Sequence, residues 1–129
     1  MKLRIRGNSI RLRLAQSEVT RLLDQGVVVE STTFDPAGRQ RLDYQLISTA
    51  NVAAVAVSFE EGRRLVVRVP ADLVAAWGMS DRIEIAATQP AEGGAVLRIL
   101  IEKDLECLDP PPEESQADAF KRPDGAPAC

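Results

Sequence analysis

The sequence contains no histidine, and this absence narrows what the protein can do. Histidine is the most common general base and metal ligand, so acid–base catalysis and a zinc site both become harder to build. The two cysteines, Cys107 and Cys129, lie near the C-terminal end with no C-x-x-C spacing. We therefore expect no metal and no cofactor, and in a reducing compartment we expect both cysteines to be free thiols.

Long apolar runs are also missing, so the chain has no candidate membrane-spanning segment. The opening, MKLRIRGNSIRLRL, places Lys or Arg at almost every second position and leaves no apolar stretch for a signal peptide. The apolar fraction of 45% and the charged fraction of 27% are typical of a globular domain. These features predict a cytoplasmic protein that does not contact a membrane.

Groups suited to catalysis are sparse. The candidates in the first half of the chain are Ser9, Ser17, Thr20, Asp24 and Glu30. They form no recognisable set of nucleophile, base and orienting group, and the chain has no glycine-rich phosphate loop. Asp72 and Asp81 flank an expected helix, where capping and turn roles explain them. The sequence therefore predicts a protein without enzymatic activity.

Two stretches of the chain repeat each other at a spacing of 55 residues, with residues 7–46 aligned to residues 62–101 without a gap. The identical pairs are Gly7 and Gly62, Arg13 and Arg68, Val19 and Val74, Thr33 and Thr88, Gly38 and Gly93, and Leu42 and Leu97. The apolar pattern also stays in phase. A fixed period defines a structural unit, so we expect two similar halves packed as a pseudo-dimer within one chain.

Each unit is expected to contain four strands and one short helix. In the first unit, the strands cover residues 2–6, 10–14, 27–34 and 41–49, and the helix covers about residues 17–25. In the second unit, the strands cover residues 55–59, 65–69, 82–88 and 96–103, and a helix follows Pro70. Ser17 and Gly26 are the expected caps of the first helix, and Gly78 is expected to end the second.

The fold class that follows is mainly β. Two pseudo-symmetric ββαββ units, about residues 2–49 and 53–104, are expected to form one small barrel-like domain over residues 1–105, because closure would remove exposed strand edges. Tyr44 and Trp77 are expected in its core. Residues 106–129 are rich in proline, acids and small side chains, and they are expected to be a disordered or partner-ordered tail.

Charge is distributed unevenly along the chain. Residues 1–13 carry five basic and no acidic side chains, whereas residues 102–129 carry 3 basic and 8 acidic ones. The predicted nucleic-acid-binding residues are Lys2, Arg4, Arg6, Arg11 and Arg13, which alternate onto one hairpin face, together with Arg68 in the second unit. A basic two-stranded ribbon can enter the major groove of DNA. The alternative is a solvated strand face whose charge prevents edge-to-edge pairing.

The segment RGNSIRLRLAQSEV, residues 6–19, resembles the signature of MazE-type antitoxins and AbrB-type regulators, a strand followed by W-G-N-S-x-x-V-R-I-P, a short helix and another strand. The matching residues are Gly7, Asn8, Ser9, Arg13 and Leu14, and in the second unit Gly62, Arg68, Val69 and Pro70. Arg6 replaces the Trp of that pattern and Ala15 replaces the Pro. Those families dimerise through swapped hairpins, so the resemblance implies a fused version that makes both halves itself.

The same resemblance implies a protein partner for the acidic tail, since the acidic C-terminal arm of an antitoxin folds onto its toxin. Phe120, the only large apolar side chain of residues 109–129, would be the partner-binding anchor beside Glu113, Glu114 and Asp118. The alternatives are a tail that only adds solubility and a tail that shields the basic face within the same chain.

Over its full length, the chain is similar to a small uncharacterised bacterial family with a GNS-x-RLRL-x-x-SEV opening and an IEKD-F-x-CL segment, here residues 101–108 with Leu105 in place of the Phe. This similarity implies no function. We expect a non-enzymatic cytoplasmic regulator, monomeric or homodimeric, that contacts double-stranded DNA through the basic hairpin. The alternative is a protein-interaction or assembly module that does not bind nucleic acid.

Overall fold

Eight strands and two helices follow one another in two units of the same order. The computed structural model describes residues 1–106 and 117–123. The first unit comprises β1 (Lys2–Arg6), β2 (Ser9–Leu14), α1 (Gln16–Gln25), β3 (Val27–Thr33) and β4 (Arg41–Thr49). The second unit comprises β5 (Ala56–Glu60), β6 (Arg64–Pro70), α2 (Ala71–Gly78), β7 (Glu84–Pro90) and β8 (Val96–Lys103). The mainly β fold is therefore confirmed.

The strands form two separate four-stranded sheets, each with two strands from each unit. Sheet A has the order β1-β2-β8-β7, and sheet B has the order β3-β4-β6-β5. The central pairs, β2 with β8 and β4 with β6, are parallel, whereas the outer pairs are antiparallel. If each strand is replaced by its counterpart in the other unit (β1 by β5, β2 by β6, β8 by β4 and β7 by β3), the order of sheet A becomes that of sheet B. The connectivity therefore has pseudo-two-fold symmetry.

The strand registers show how closely the two units correspond. Leu12 lies opposite Ile101 in sheet A, and a shift of 55 residues converts this into the Val67–Leu46 pair of sheet B. However, Val28 lies opposite Leu46 and Ile85 lies opposite Ile101, which relates β3 to β7 by 57 residues. The second unit has two extra residues before β7 and two fewer residues in the turn after it, which explains the difference. The gap-free alignment is therefore wrong for β3, and Thr33 and Thr88 are not structural equivalents.

Neither sheet closes on itself, so the expected barrel-like packing is not confirmed. Side-chain hydrogen bonds join the sheets instead. The Gln89 amide oxygen in β7 accepts from the Val57 N–H in β5 at 2.8 Å, and the Gln89 amide nitrogen donates to the Val57 carbonyl at 2.8 Å. At β1, the Tyr44 hydroxyl donates to the Met1 carbonyl at 3.0 Å. The Gln89 contacts join the edge strands β5 and β7 without a continuous backbone ladder, and the Tyr44 contact joins the central strand β4 to the residue before β1.

One core lies between the sheets and against both helices. Its fully buried members include Leu12, Leu14, Leu22, Val28, Leu46, Val67, Val69, Val74, Trp77, Ile85 and Ile101. Trp77 is therefore a core residue, as predicted, and its indole N–H donates to the Ile83 carbonyl at 2.8 Å. Tyr44 is partly buried and packs against the same core. No helix within the described part of the chain is long and apolar enough to cross a membrane.

The helix ends differ in part from the expectation. Helix α1 begins after Ala15, whose N–H donates to the Glu18 carboxylate at 2.9 Å, so Ser17 is not its N-cap. Gly26 ends α1 with a φ of 81°, as predicted. Gly78 is the last residue of α2, as predicted, and a Cβ there would lie 3.1 Å from the Leu23 methyl groups. Glycine at position 78 therefore allows the two helices to approach closely.

Candidate nucleic-acid interface

The outer face of sheet A collects the basic side chains of the N-terminal hairpin. Because successive side chains of a strand point to opposite faces, the residues that alternate with buried Ile10, Leu12 and Leu14 point outward. From β1 to β7 these outward residues form three rows: Arg6, Ser9, Arg98 and Thr88; Arg4, Arg11, Leu100 and Ala86; Lys2, Arg13, Glu102 and Glu84. We call these twelve residues the basic face. Six are basic and two are acidic, giving a net charge of +4.

Acidic partners neutralise only one end of the basic face. Glu102 Oε1 accepts from Arg13 Nε at 2.6 Å and lies 3.2 Å from Arg11 Nε. Lys2 Nζ lies 3.1 Å from the Asp104 carboxylate. Arg4, Arg6 and Arg98 have no ion-pair partner among residues 1–106 and 117–123. Unpaired positive charge is therefore concentrated near the β1–β2 turn.

A groove of about 690 Å³ runs along this unpaired part of the basic face. The side chains that line it from the outer face are Arg4, Arg6, Ser9, Arg11, Ala86, Thr88, Arg98 and Leu100. Arg4, Arg6 and Arg98 are exposed, so their guanidinium groups are available to solvent. Guanidinium groups bind phosphate and carboxylate oxygens through paired N–H donors. The groove can therefore hold a ligand that carries several negative charges.

The equivalent face of sheet B lacks this charge. Its rows are Glu60, Arg64, Asp43 and Ser31; Ser58, Val66, Gln45 and Val29; Ala56, Arg68, Ile47 and Val27. Arg41, in the next row of β4 opposite Thr33, lies on the same face, so three basic and two acidic side chains give a net charge of +1. Hydrogen bonds from Ser31 and then Arg41 lower the pKa of Asp43, and hydrogen bonds from Ser58 and Arg68 lower the pKa of Glu60. Sheet B therefore presents a nearly neutral, internally bonded surface.

Arg68 belongs to this nearly neutral surface and not to the basic face. Its guanidinium nitrogen lies 3.2 Å from the Glu60 carboxylate, and it also donates to Ser58 at 3.1 Å. The structure thus brings together five of the six residues predicted from the sequence and leaves Arg68 on the other sheet.

Arg98, which completes the basic face, was not predicted from the sequence. The alternation of β8 places Arg98 on the opposite face from buried Ile99, so the sequence was sufficient to predict that Arg98 points outward. Its position between Ser9 and Thr88 depends on the parallel pairing of β2 with β8. A parallel pair joins strands far apart in the chain, and no local pattern indicates it.

Residues 117–123 lie against the body of the protein. The Phe120 N–H donates to the Asp104 carbonyl at 2.8 Å, and the Glu106 N–H donates to the Phe120 carbonyl at 2.7 Å. Asp118 lies at the start of α1, where its carboxylate accepts from the Ser17 hydroxyl at 2.5 Å and from the Ser17 N–H at 3.3 Å. Residues 107–116 and 124–129, with both cysteines, Glu113 and Glu114, lie outside the described residues.

The Phe120 ring is partly buried and covers a buried lysine. Lys103 Nζ lies 5.4 Å from the centre of the Phe120 ring and 5.8 Å from that of Trp77, and it donates to the Ser80 carbonyl at 2.6 Å. A partner that uses Phe120 as an anchor has to displace it from this position. In the described parts of the chain, no cluster of three or more cysteine, aspartate or glutamate side chains could hold a metal ion.

A mainly β protein of two ββαββ units, with one strongly basic sheet face and one nearly neutral one, is the class that these observations define. The chain belongs to a family of unknown function (DUF7009), whose sequence model matches residues 1–124. The expected membership of an uncharacterised family is thereby confirmed. No curated protein and no solved structure matches the chain.

Proposed function

We propose that this protein is a non-enzymatic cytoplasmic regulator that binds DNA through the basic face, in the manner of the AbrB- and MazE-type proteins that its opening segment resembles. The observation that carries the proposal is the contrast between the faces, +4 on sheet A and +1 on sheet B. Charge needed only to prevent edge-to-edge pairing would be expected on both sheets. The sheet order, which combines hairpins of both units, supports the resemblance to swapped-hairpin proteins.

Arg4, Arg6 and Arg98 are the principal phosphate contacts in this proposal, because they are exposed and free of carboxylate partners within the described ranges. Three neutralised phosphates predict a slope near −2.7 for the logarithm of affinity against that of salt, or about a 40-fold loss between about 50 and 200 mM. Lys2, Arg11 and Arg13 contribute less, since acidic groups already hold them.

A double substitution, Arg4→Ala with Arg98→Ala, tests the proposal. The matched control is Arg21→Ala with Arg39→Ala, which removes the same charge from exposed positions outside the basic face. Anisotropy titrations of a labelled mixed-sequence duplex should show at least about tenfold weaker binding for the first variant and little change for the control. Equal binding by both variants, or no binding of the unmodified protein to either duplex or single-stranded DNA at about 50 mM salt, would contradict the proposal.

Releasing the partly neutralised arginines should have the opposite effect. Glu102→Gln removes the shared partner of Arg11 and Arg13, so DNA affinity should rise several-fold at about 50 mM salt, with a steeper salt dependence. Glu60→Gln releases Arg68 on sheet B and serves as the control, with no expected change. The same titrations measure both, and a rise for Glu60→Gln alone would move the site to sheet B.

The alternative, a protein-interaction module, has one observation in its favour. Phe34 and Phe59 are large apolar side chains with exposed fractions of 65% and 58%. Exposed aromatic groups favour protein contacts. This candidate is preferred if the arginine variants leave DNA binding unchanged while Phe34→Ser with Phe59→Ser abolishes a measured protein association.

A further inference from the structure

We infer that the groove of the basic face binds a single strand of DNA in preference to a duplex. This inference rests on the proposed function and specifies the form of the ligand. Its starting point is that the N-terminal hairpin is not a free ribbon, because β2 pairs with β8 from Ser9–Arg98 through Leu14–Lys103.

The width of sheet A opposes insertion into a duplex. Neighbouring strands lie about 4.8 Å apart, so the outer strands of four are about 14 Å apart before side chains are added. The major groove is about 12 Å wide and admits a helix or a two-stranded ribbon. A duplex can therefore meet the basic face only through its phosphates, with its bases out of reach.

The groove offers a single strand more contacts. Its floor includes the small or uncharged side chains of Ser9, Ala86, Thr88 and Leu100, while arginines from β1, β2 and β8 surround them. A volume of about 690 Å³ leaves room for unstacked bases over this floor. Arginine planes can stack on such bases while their N–H groups bind phosphates.

The arginines also fit an extended chain of phosphates. Arg4 and Arg6 are two residues apart in β1, or about 6.6 Å along the strand. Arg98 lies level with Arg6 and two strands away, at about 10 Å. A flexible strand can adjust its phosphates to these positions, whereas a duplex holds them on a fixed curved surface.

The nearly neutral sheet supplies a matched control for this groove. Val29 occupies the position in sheet B that Ala86 occupies in sheet A, since each lies in the middle row on the outer strand of the β3–β4 or β7–β8 hairpin. Both side chains are exposed, so a larger apolar residue is tolerated at either position. Ala86→Leu fills the floor of the groove, and Val29→Leu adds bulk elsewhere.

The test uses the full chain with labelled mixed-sequence DNA of about 20 nucleotides, single-stranded and duplex, at about 50 mM salt. We expect the single strand to bind at least about tenfold more tightly, with a shallower salt slope per contact. Ala86→Leu should weaken single-strand binding at least about fivefold, whereas Val29→Leu should leave single-strand binding unchanged.

The possible failures are distinguishable. A duplex that binds as tightly as the single strand, or single-strand binding that Ala86→Leu does not weaken, overturns this inference and leaves the proposed function standing. Absence of binding to either form overturns both. Unfolding midpoints within the range of the unmodified protein show that each variant has folded.

Discussion

Lys103 shows how a single residue can depart from the pattern of its strand. The alternation of β8 directs position 103 toward the core, and Lys103 is only 7% exposed. Burial lowers the pKa of Lys103, an effect that Asp81 partly opposes. The ammonium group also donates a hydrogen bond to the Ser80 carbonyl and makes cation–π contacts with the rings of Phe120 and Trp77.

This lowered pKa predicts a pH-dependent stability. Between the folded pKa and the unfolded value of 10.5, the unfolded chain binds this proton more tightly, so stability rises with pH through this range. The Lys103→Met variant lacks this ionisable group, so its stability lacks this pH dependence. The free energy of unfolding of the unmodified protein, measured by urea titration between about pH 7 and 10, should rise relative to the variant as pH increases. A constant difference would contradict the pKa shift.

Side-chain direction was predictable from the sequence wherever a strand alternates regularly. Alternation in residues 2–6 and 10–14 correctly indicated that Arg4, Arg11 and their neighbours share one face. Lys103 and Arg98 were not recognised, for different reasons. A lysine in a core position contradicts the apolar pattern, and the site of Arg98 depends on a partner strand from the other unit.

At the scale of elements, the start of α1 depends on a segment about a hundred residues away in the sequence. Ala15 has no side chain that can cap the helix, and Asp118 supplies a carboxylate at its first turn. Negative charge is stabilising at a helix N-terminus. Sequence analysis could not find this cap because its residue lies in a stretch whose composition is typical of disorder.

Asp118→Ala should therefore destabilise the protein by about 1 kcal/mol, the usual cost of losing a helix cap. Asp24→Ala, near the C-terminal end of the same helix, removes an equal charge from an exposed position and should not destabilise it. Urea unfolding of both variants makes the comparison. Equal stability of Asp118→Ala and the unmodified protein would show that Asp118 does not act as a cap in solution.

The seam between β5 and β7 depends on Gln89. Gln89→Ala leaves the Val57 N–H and carbonyl without their partner, which should cost about 1–3 kcal/mol. Gln45→Ala, at a half-buried position on the outer face of sheet B, is the control and should cost less. Thermal unfolding measures the difference, and amide exchange at Val57 should accelerate in Gln89→Ala alone. Unchanged exchange would mean that the seam is closed by other contacts.

For the whole molecule, the repeat predicted the order of elements but not how they assemble. Periodicity in the stretches around Leu12 and Val67 identifies strands, and it contains no information on which strands become neighbours. The pairing of Leu12 with Ile101, and of Leu46 with Val67, joins the two units through parallel contacts. Such contacts form only after a long loop closes, so they follow from the global fold and not from local preference.

The pseudo-two-fold arrangement has a consequence for recognition. In a homodimer, one substitution alters two identical surfaces at once, and the target must repeat itself as a palindrome. Here the related positions Arg11 and Val66 are separate codons of one chain, and they have become a charged and a buried apolar residue. In the proposed function, each molecule therefore presents one basic face, so its DNA target needs neither a dyad axis nor a fixed spacing between half-sites.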